Sequence, residues 1–202
     1  MARLAIFIDG GYMTALAKKE FQVWIDYEKL PGEILRLVAE KTPESLDLLR
    51  TYYYDCLPYQ SAEPTPEESK SFASKRKFLE FLGRITRFEV REGRLNFTGH
   101  DADGKRIFQQ KRVDLLLGLD LALLSLKRTI THAAIVTGDS DLLPAIETAK
   151  LEGLSIWLFH GPRKSRLGGA PTYATELWGA ADERFEIDQA FMKRIERPRP
   201  SI

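Results

Sequence analysis

Leu4-Ala5-Ile6-Phe7-Ile8-Asp9-Gly10-Gly11 opens the chain with five apolar residues in a row, then an acid, then two glycines. An unbroken apolar run of this length suits a strand covered on both faces, as in a parallel sheet flanked by helices. Gly10 and Gly11 permit a tight turn, and a helix is predicted over 12–20. Ala133-Ala134-Ile135-Val136-Thr137-Gly138-Asp139-Ser140-Asp141 repeats the arrangement far downstream: an apolar run, a glycine turn and acids. In an open α/β fold such strand ends share one edge, where ligands bind.

The intervening sequence supports an α/β class. Apolar residues at helical spacing predict helices over 30–40, 67–82, 112–127 and 141–152, with a short one over 173–181. Further strands are predicted over 46–54, 132–136, 154–159 and 184–187. Residues 85–98 alternate around Glu92-Gly93 and predict a hairpin, followed by a turn-rich loop over 99–104. The helix over 112–127 has leucines all round it and is expected to be buried on most sides. The expected architecture is a Rossmann-like parallel sheet flanked by helices, in a single domain over 1–190. A helix-plus-hairpin insertion over about 58–110 and a C-terminal tail over 191–202 complete it.

At 202 residues with 44% hydrophobic and 29% charged content, the chain fits one well-cored globular domain. No run approaches the roughly 20 apolar residues of a membrane span, and the first residues lack a secretory apolar core. The expectation is a cytoplasmic protein without membrane contact. A single cysteine, Cys56, excludes an internal disulfide and a four-cysteine zinc site. Net charge is +1, yet residues 69–112 hold 12 Lys or Arg against 5 Asp or Glu, a local +7 against −6 elsewhere. Such asymmetry suits a polyanion held beside an acidic site; a solvated helix face is the plainer explanation.

Asp9, Asp114, Asp139 and Asp141 are the candidate site. Each stands at a strand end or a helix start, and α/β topology can bring all four to one edge. Oxygen-only ligands favour Mg²⁺ or Mn²⁺ over zinc, with some acids acting through water. Any one of them could instead be a helix cap; the joint pattern is what points to metal. Asp120, six positions after Asp114, lies about 120° round the helix and is expected to pair with a Lys or Arg. Thr137, Ser140 and Lys111 suit hydrogen bonds to phosphate or to the acids. Arg76, Arg87 and Arg91, with Arg163, Lys164 and Arg166 beyond a strand end, are candidate contacts to a nucleic-acid backbone. Tyr12, Tyr54 and Tyr59 could stack on bases or simply pack. A Gly-x-Gly-x-x-Gly loop is missing, Gly11 stands where a haloacid-dehalogenase phosphatase needs a second Asp, and the three histidines are scattered.

Phe7-Ile8-Asp9-Gly10-Gly11-Tyr12, Lys111-Arg112-Val113-Asp114 and Thr137-Gly138-Asp139-Ser140-Asp141-Leu142-Leu143-Pro144 together resemble the NYN domain family, in its LabA-like (DUF88) branch, within the PIN-like nuclease superfamily. Many relatives carry Asn where this chain has Tyr12. The resemblance implies a divalent-metal site at Asp9, Asp114, Asp139 and Asp141 and hydrolysis of RNA phosphodiesters, with single-stranded RNA the expected partner. The alternative is an RNA- or protein-binding regulatory module with little or no turnover on the same fold. A homo-oligomer is left open.

Overall fold

The computed structural model describes residues 1–100, 106–166, 168 and 171–198; for 96, 97, 100 and 106–111 it describes the backbone alone. Six strands form one parallel sheet: β1 (Ala2–Asp9), β2 (Leu46–Asp55), β3 (Phe88–Glu92), β6 (His132–Val136), β7 (Ser155–His160) and β8 (Glu183–Glu186). Their spatial order is β3-β2-β1-β6-β7-β8. The sequence direction reverses between β1 and β6, so the crevice beyond their C-terminal ends is the place where such sheets hold ligands.

Alternate residues of each strand serve opposite faces. Leu4, Ile6, Ile8, Tyr53, Val136 and Phe159 join one core, under α1 (Gly10–Ala15), α2 (Leu30–Lys41), α3 (Pro66–Leu82) and α7 (Gln189–Arg194). Ala5, Phe7, Tyr54, Ile135 and Leu158 join the other, under α4 (Val113–Leu126), α5 (Leu143–Leu151) and α6 (Thr175–Ala180). This two-sided burial explains the unbroken apolar runs. The mixed α/β architecture expected from the sequence is the one observed.

Several local expectations need correction. Residues 85–98 do not form a hairpin: β3 pairs in parallel with β2, Thr51 against Phe88. The hairpin is instead β4 (Arg94–His100) with β5 (Arg106–Lys111). Alternation fixes strand character but does not name the partner. The loop expected over 99–104 falls mostly outside the described residues, apart from Gly99 and His100, which end β4. Helix α3 and strand β3 continue the α/β alternation, so among the described residues only β4 and β5 stand apart from the main sheet.

Helix α4 is not buried on most sides. Val113, Leu117 and Leu121 are buried, whereas Leu115, Leu119, Leu123 and Leu126 are 48–62% exposed. Residues 191–197 pack on the body. Phe191, Met192 and Ile195 are buried, and the amide of Arg197 donates to the Trp24 carbonyl at 2.7 Å. Finally, the first helix runs on from α1 as a π-helical segment, Leu16–Phe21. No helix among the described residues is long and apolar enough to cross a membrane.

Candidate metal centre

Asp9 ends β1 and caps α1, its Oδ1 accepting from the Tyr12 amide at 3.0 Å. Asp139 acts likewise after β6, its Oδ1 accepting from the Asp141 amide at 3.0 Å. Capping and ligation are compatible. A carboxylate offers about four acceptor positions, and one bond to an amide fixes the rotamer without filling the rest. Asp114 lies in the first turn of α4, two residues after Arg112, which adopts φ +77. That left-handed residue turns the chain from β5 into the helix, at a conformational cost for a side chain of this size.

Electrostatics ties the acids together. Burial raises the Asp9 carboxyl from 3.8 to about 6, with further upward pressure from Asp114 and Asp55. The Asp114 carboxyl is also raised, first by burial and then by Asp139 and Asp141. Acids from three distant stretches therefore feel one another at the β1–β6 crevice. Among the described residues none of the four has a salt-bridge partner. No group of three or more Asp, Glu, His or Cys side chains among those residues is drawn closely together. The donor set is thus open and spread. A hard ion that takes only one or two carboxylates directly and keeps several waters does not need all four to be drawn together.

Asp55 belongs to this edge and was missed in the sequence. The β1–β2 register sets Asp9 against Tyr54, so Asp55 stands one residue beyond. It is 5% exposed, its Oδ1 accepts from the Cys56 amide at 2.7 Å, and Lys75 of α3 pairs with its Oδ2. The signal was present: Tyr52-Tyr53-Tyr54-Asp55 ends a strand in an acid just as Ile8-Asp9 does.

Close backbone approach shapes the wall. A Cβ on Gly10 would lie 2.6 Å from Asp55 Oδ2, and one on Gly138 2.6 Å from Tyr12 Cε2. The Tyr12 hydroxyl accepts from the Gly161 amide at 2.8 Å, and burial pushes it up to about 12. Tyr12 therefore braces the ends of β1, β6 and β7 against one another. Thr137 is fully buried, its Oγ1 accepting from the Asp139 amide at 3.2 Å, while Ser140 is half-buried beside it.

The basic candidates are scattered. Arg163 and Lys164 are exposed just past β7, on the acidic edge. Arg166 is engaged with Glu20 through its amide, at 2.7 Å, and its guanidinium, at 3.3 Å to the carbonyl. Arg91 pairs with Glu89 and with Asp120, which also accepts from Tyr54, giving Asp120 the cationic partner expected of it. Arg76 lies 3.6 Å from Glu92. Arg87 pairs with Asp47 at the start of β2, so the structure sets it at the opposite edge. Asp47 and Asp55 are eight strand positions apart, roughly 26 Å. The side chain of Lys111 lies outside the described residues.

The sequence profile of the NYN domain matches residues 3–186. The chain belongs to the NYN domain family. That places it in the PIN-like nuclease superfamily and suggests a hydrolase acting on nucleic acid. The match is to the NYN family as a whole and does not resolve its LabA-like branch. Among curated proteins, none matches the chain.

Proposed function

We propose that this NYN protein is a divalent-metal-dependent ribonuclease that hydrolyses phosphodiesters of single-stranded RNA at the β1–β6 crevice. The observation that carries the reading is that burial and Asp114 raise the Asp9 carboxyl while burial, Asp139 and Asp141 raise that of Asp114, acids from separate elements without a salt-bridge partner among the described residues. Asp9, Asp114, Asp139 and Asp141 would hold Mg²⁺ or Mn²⁺, with Asp55 beside them. A bound ion there supplies Lewis-acid polarisation of the phosphoryl oxygen and a more acidic water.

The chain's own residues do the rest. The caps on Asp9 and Asp139 fix the carboxylate rotamers, and Thr137 holds the turn that carries Asp139. Ser140 is placed to donate to a phosphate oxygen. Arg163 and Lys164 supply positive charge to the incoming backbone beyond β7. Tyr12 keeps the three strand ends at fixed spacing, a bracing role in place of an amide that would touch the substrate.

One observation favours the second reading, a regulatory module that binds RNA or protein without turnover: the acids are not drawn closely together. One experiment separates the two. Single-stranded RNA is incubated with the protein in Mg²⁺ or Mn²⁺, beside EDTA and an Asp139→Asn variant, which keeps the cap. The nuclease reading expects cleavage abolished by EDTA. It also expects a drop in Asp139→Asn of at least the roughly 10–100-fold that loss of an outer-shell partner costs. Equal cleavage by the variant contradicts the site; binding without metal-dependent cleavage supports the module.

A further inference from the structure

One cavity of the fold has no part in the chemistry above. It holds about 760 Å³ between the π-helical segment, the 22–27 loop, α3 and the C-terminal arm. Its floor is aromatic: Phe78 meets Tyr27 edge-on at 5.2 Å between centroids, and the Lys75 ammonium sits 5.4 Å from the Phe78 ring. Two large rings at the rim face solvent, Trp24 at 64% exposure and Phe81 at 40%. Lys18 and Arg197 are exposed beside them, and none of the residues lining the cavity is acidic.

The backbone around Trp24 is pinned on both sides. The Arg197 amide donates to the Trp24 carbonyl at 2.7 Å, the Val23 amide before it donates to Ala17 at 3.0 Å, and Ile25 bridges to Glu196. A large apolar ring on a pinned backbone, open to water, has no role in the core and fits a stacking platform. Positive charge without acids around aromatic faces is complementary to nucleotides, whose bases stack and whose phosphates carry the negative charge. Lys75 connects this cavity to the acidic edge, because it lines the cavity and pairs with Asp55, which abuts Gly10 next to Asp9.

We infer that this cavity is a subsite for an unpaired nucleotide of single-stranded RNA, flanking the phosphate at the β1–β6 crevice. Trp24 and Phe81 take the base, and Lys18 and Arg197 take the adjoining phosphates. The inference rests on the nuclease reading for its substrate and deepens it by requiring unpaired RNA on the α3 side. A duplex cannot offer a base face without unstacking.

The test measures RNA binding by fluorescence anisotropy on the full chain in Mg²⁺, in the Asp139→Asn background so that substrate persists. Probes are a short single-stranded RNA, its abasic counterpart and the matched duplex. Trp24→Ala and Phe81→Ala each weaken binding of the single strand about tenfold and leave the abasic strand unaffected; the duplex binds more weakly than the single strand. Lys18→Ala combined with Arg197→Ala lowers the slope of log affinity against log salt by about 1.4. Unchanged single-strand binding in Trp24→Ala and Phe81→Ala, equal binding of the duplex, or no binding of RNA overturns the subsite. So does equal competition by polyglutamate, which would mark a peptide site. Cleavage by the unsubstituted protein is assayed separately. Metal-dependent cleavage with unaltered binding in the variants removes the subsite alone, whereas base-dependent binding without cleavage removes the nuclease reading alone.

Discussion

Asp9 is asked to cap a helix, to sit half-buried and to stay charged among other acids, and these demands conflict. With its carboxyl raised from 3.8 to about 6, the folded state holds a proton that the unfolded chain has already released between those values. The sign follows: metal-free stability falls as pH rises from about 4 to 6, by up to roughly 3 kcal/mol from this one group. Asp9→Asn keeps the cap and removes the charge, so at pH 7 without metal it should be more stable than the parent by about 1–3 kcal/mol. Added Mn²⁺ should raise the melting temperature of the parent at pH 7, less at pH 5, and hardly at all in Asp9→Asn. Thermal melts at the two pH values check all three; a parent less stable than Asp9→Asn but indifferent to Mn²⁺ would leave the acids without a ligand. Gly138 makes a second residue-scale claim. Its Cβ position is closed by the Tyr12 ring and the Thr172 carbonyl, so Gly138→Ala should cost about 1–3 kcal/mol in urea unfolding.

Among the elements, the β2–α3 pair joins Asp55 to Lys75, with side chains 7% and 23% exposed, too buried to behave as a surface ion pair. Lys75→Met should destabilise by about 3 kcal/mol, because it strands a buried charge, and Lys75→Met with Asp55→Asn should recover much of that. A double-mutant cycle in urea measures the coupling, and additive costs would contradict it. Helix α4 supplies a contrast in one element: Leu117→Ala should cost about 2–5 kcal/mol, whereas Leu119→Lys on the open face should stay within about 0.5 kcal/mol. The strands at 4–8 and 133–136 were legible because both faces are buried and their residues are apolar throughout. The α4 open face was not, because eight leucines placed all round a helix carry no record of which side meets the sheet. Residues 85–98 misled for a related reason, since a period of two marks a strand but does not name its neighbour. Asp9, Asp114 and Asp139-Ser140-Asp141 were readable from their positions at strand ends and helix starts. Asp55 had the same signature, at the end of a strand whose last three residues before it are tyrosines rather than aliphatic side chains. The aromatic cavity assembles residues from 14 to 197 and leaves no local pattern to read.

At the scale of the molecule, the strand order β3-β2-β1-β6-β7-β8 converts these residues into a site. It makes β1 and β6 neighbours although more than a hundred residues separate Ile8 from its register partner Val136. Asp9, Asp114, Asp139 and Asp141 gather there, while Arg163 and Lys164 beyond β7 and the cation-lined cavity beside α3 stand on either side. An RNA strand laid across the edge would meet positive charge, an ion on the acids, then a stacking pocket. The direct measurement is anomalous diffraction from crystals soaked in Mn²⁺ near pH 7. The account expects a Mn²⁺ peak within direct or water-mediated reach of Asp9, Asp114, Asp139 and Asp141, and its loss in Asp139→Asn. A well-ordered crevice without a peak, in crystals that bind Mn²⁺ elsewhere, would contradict it.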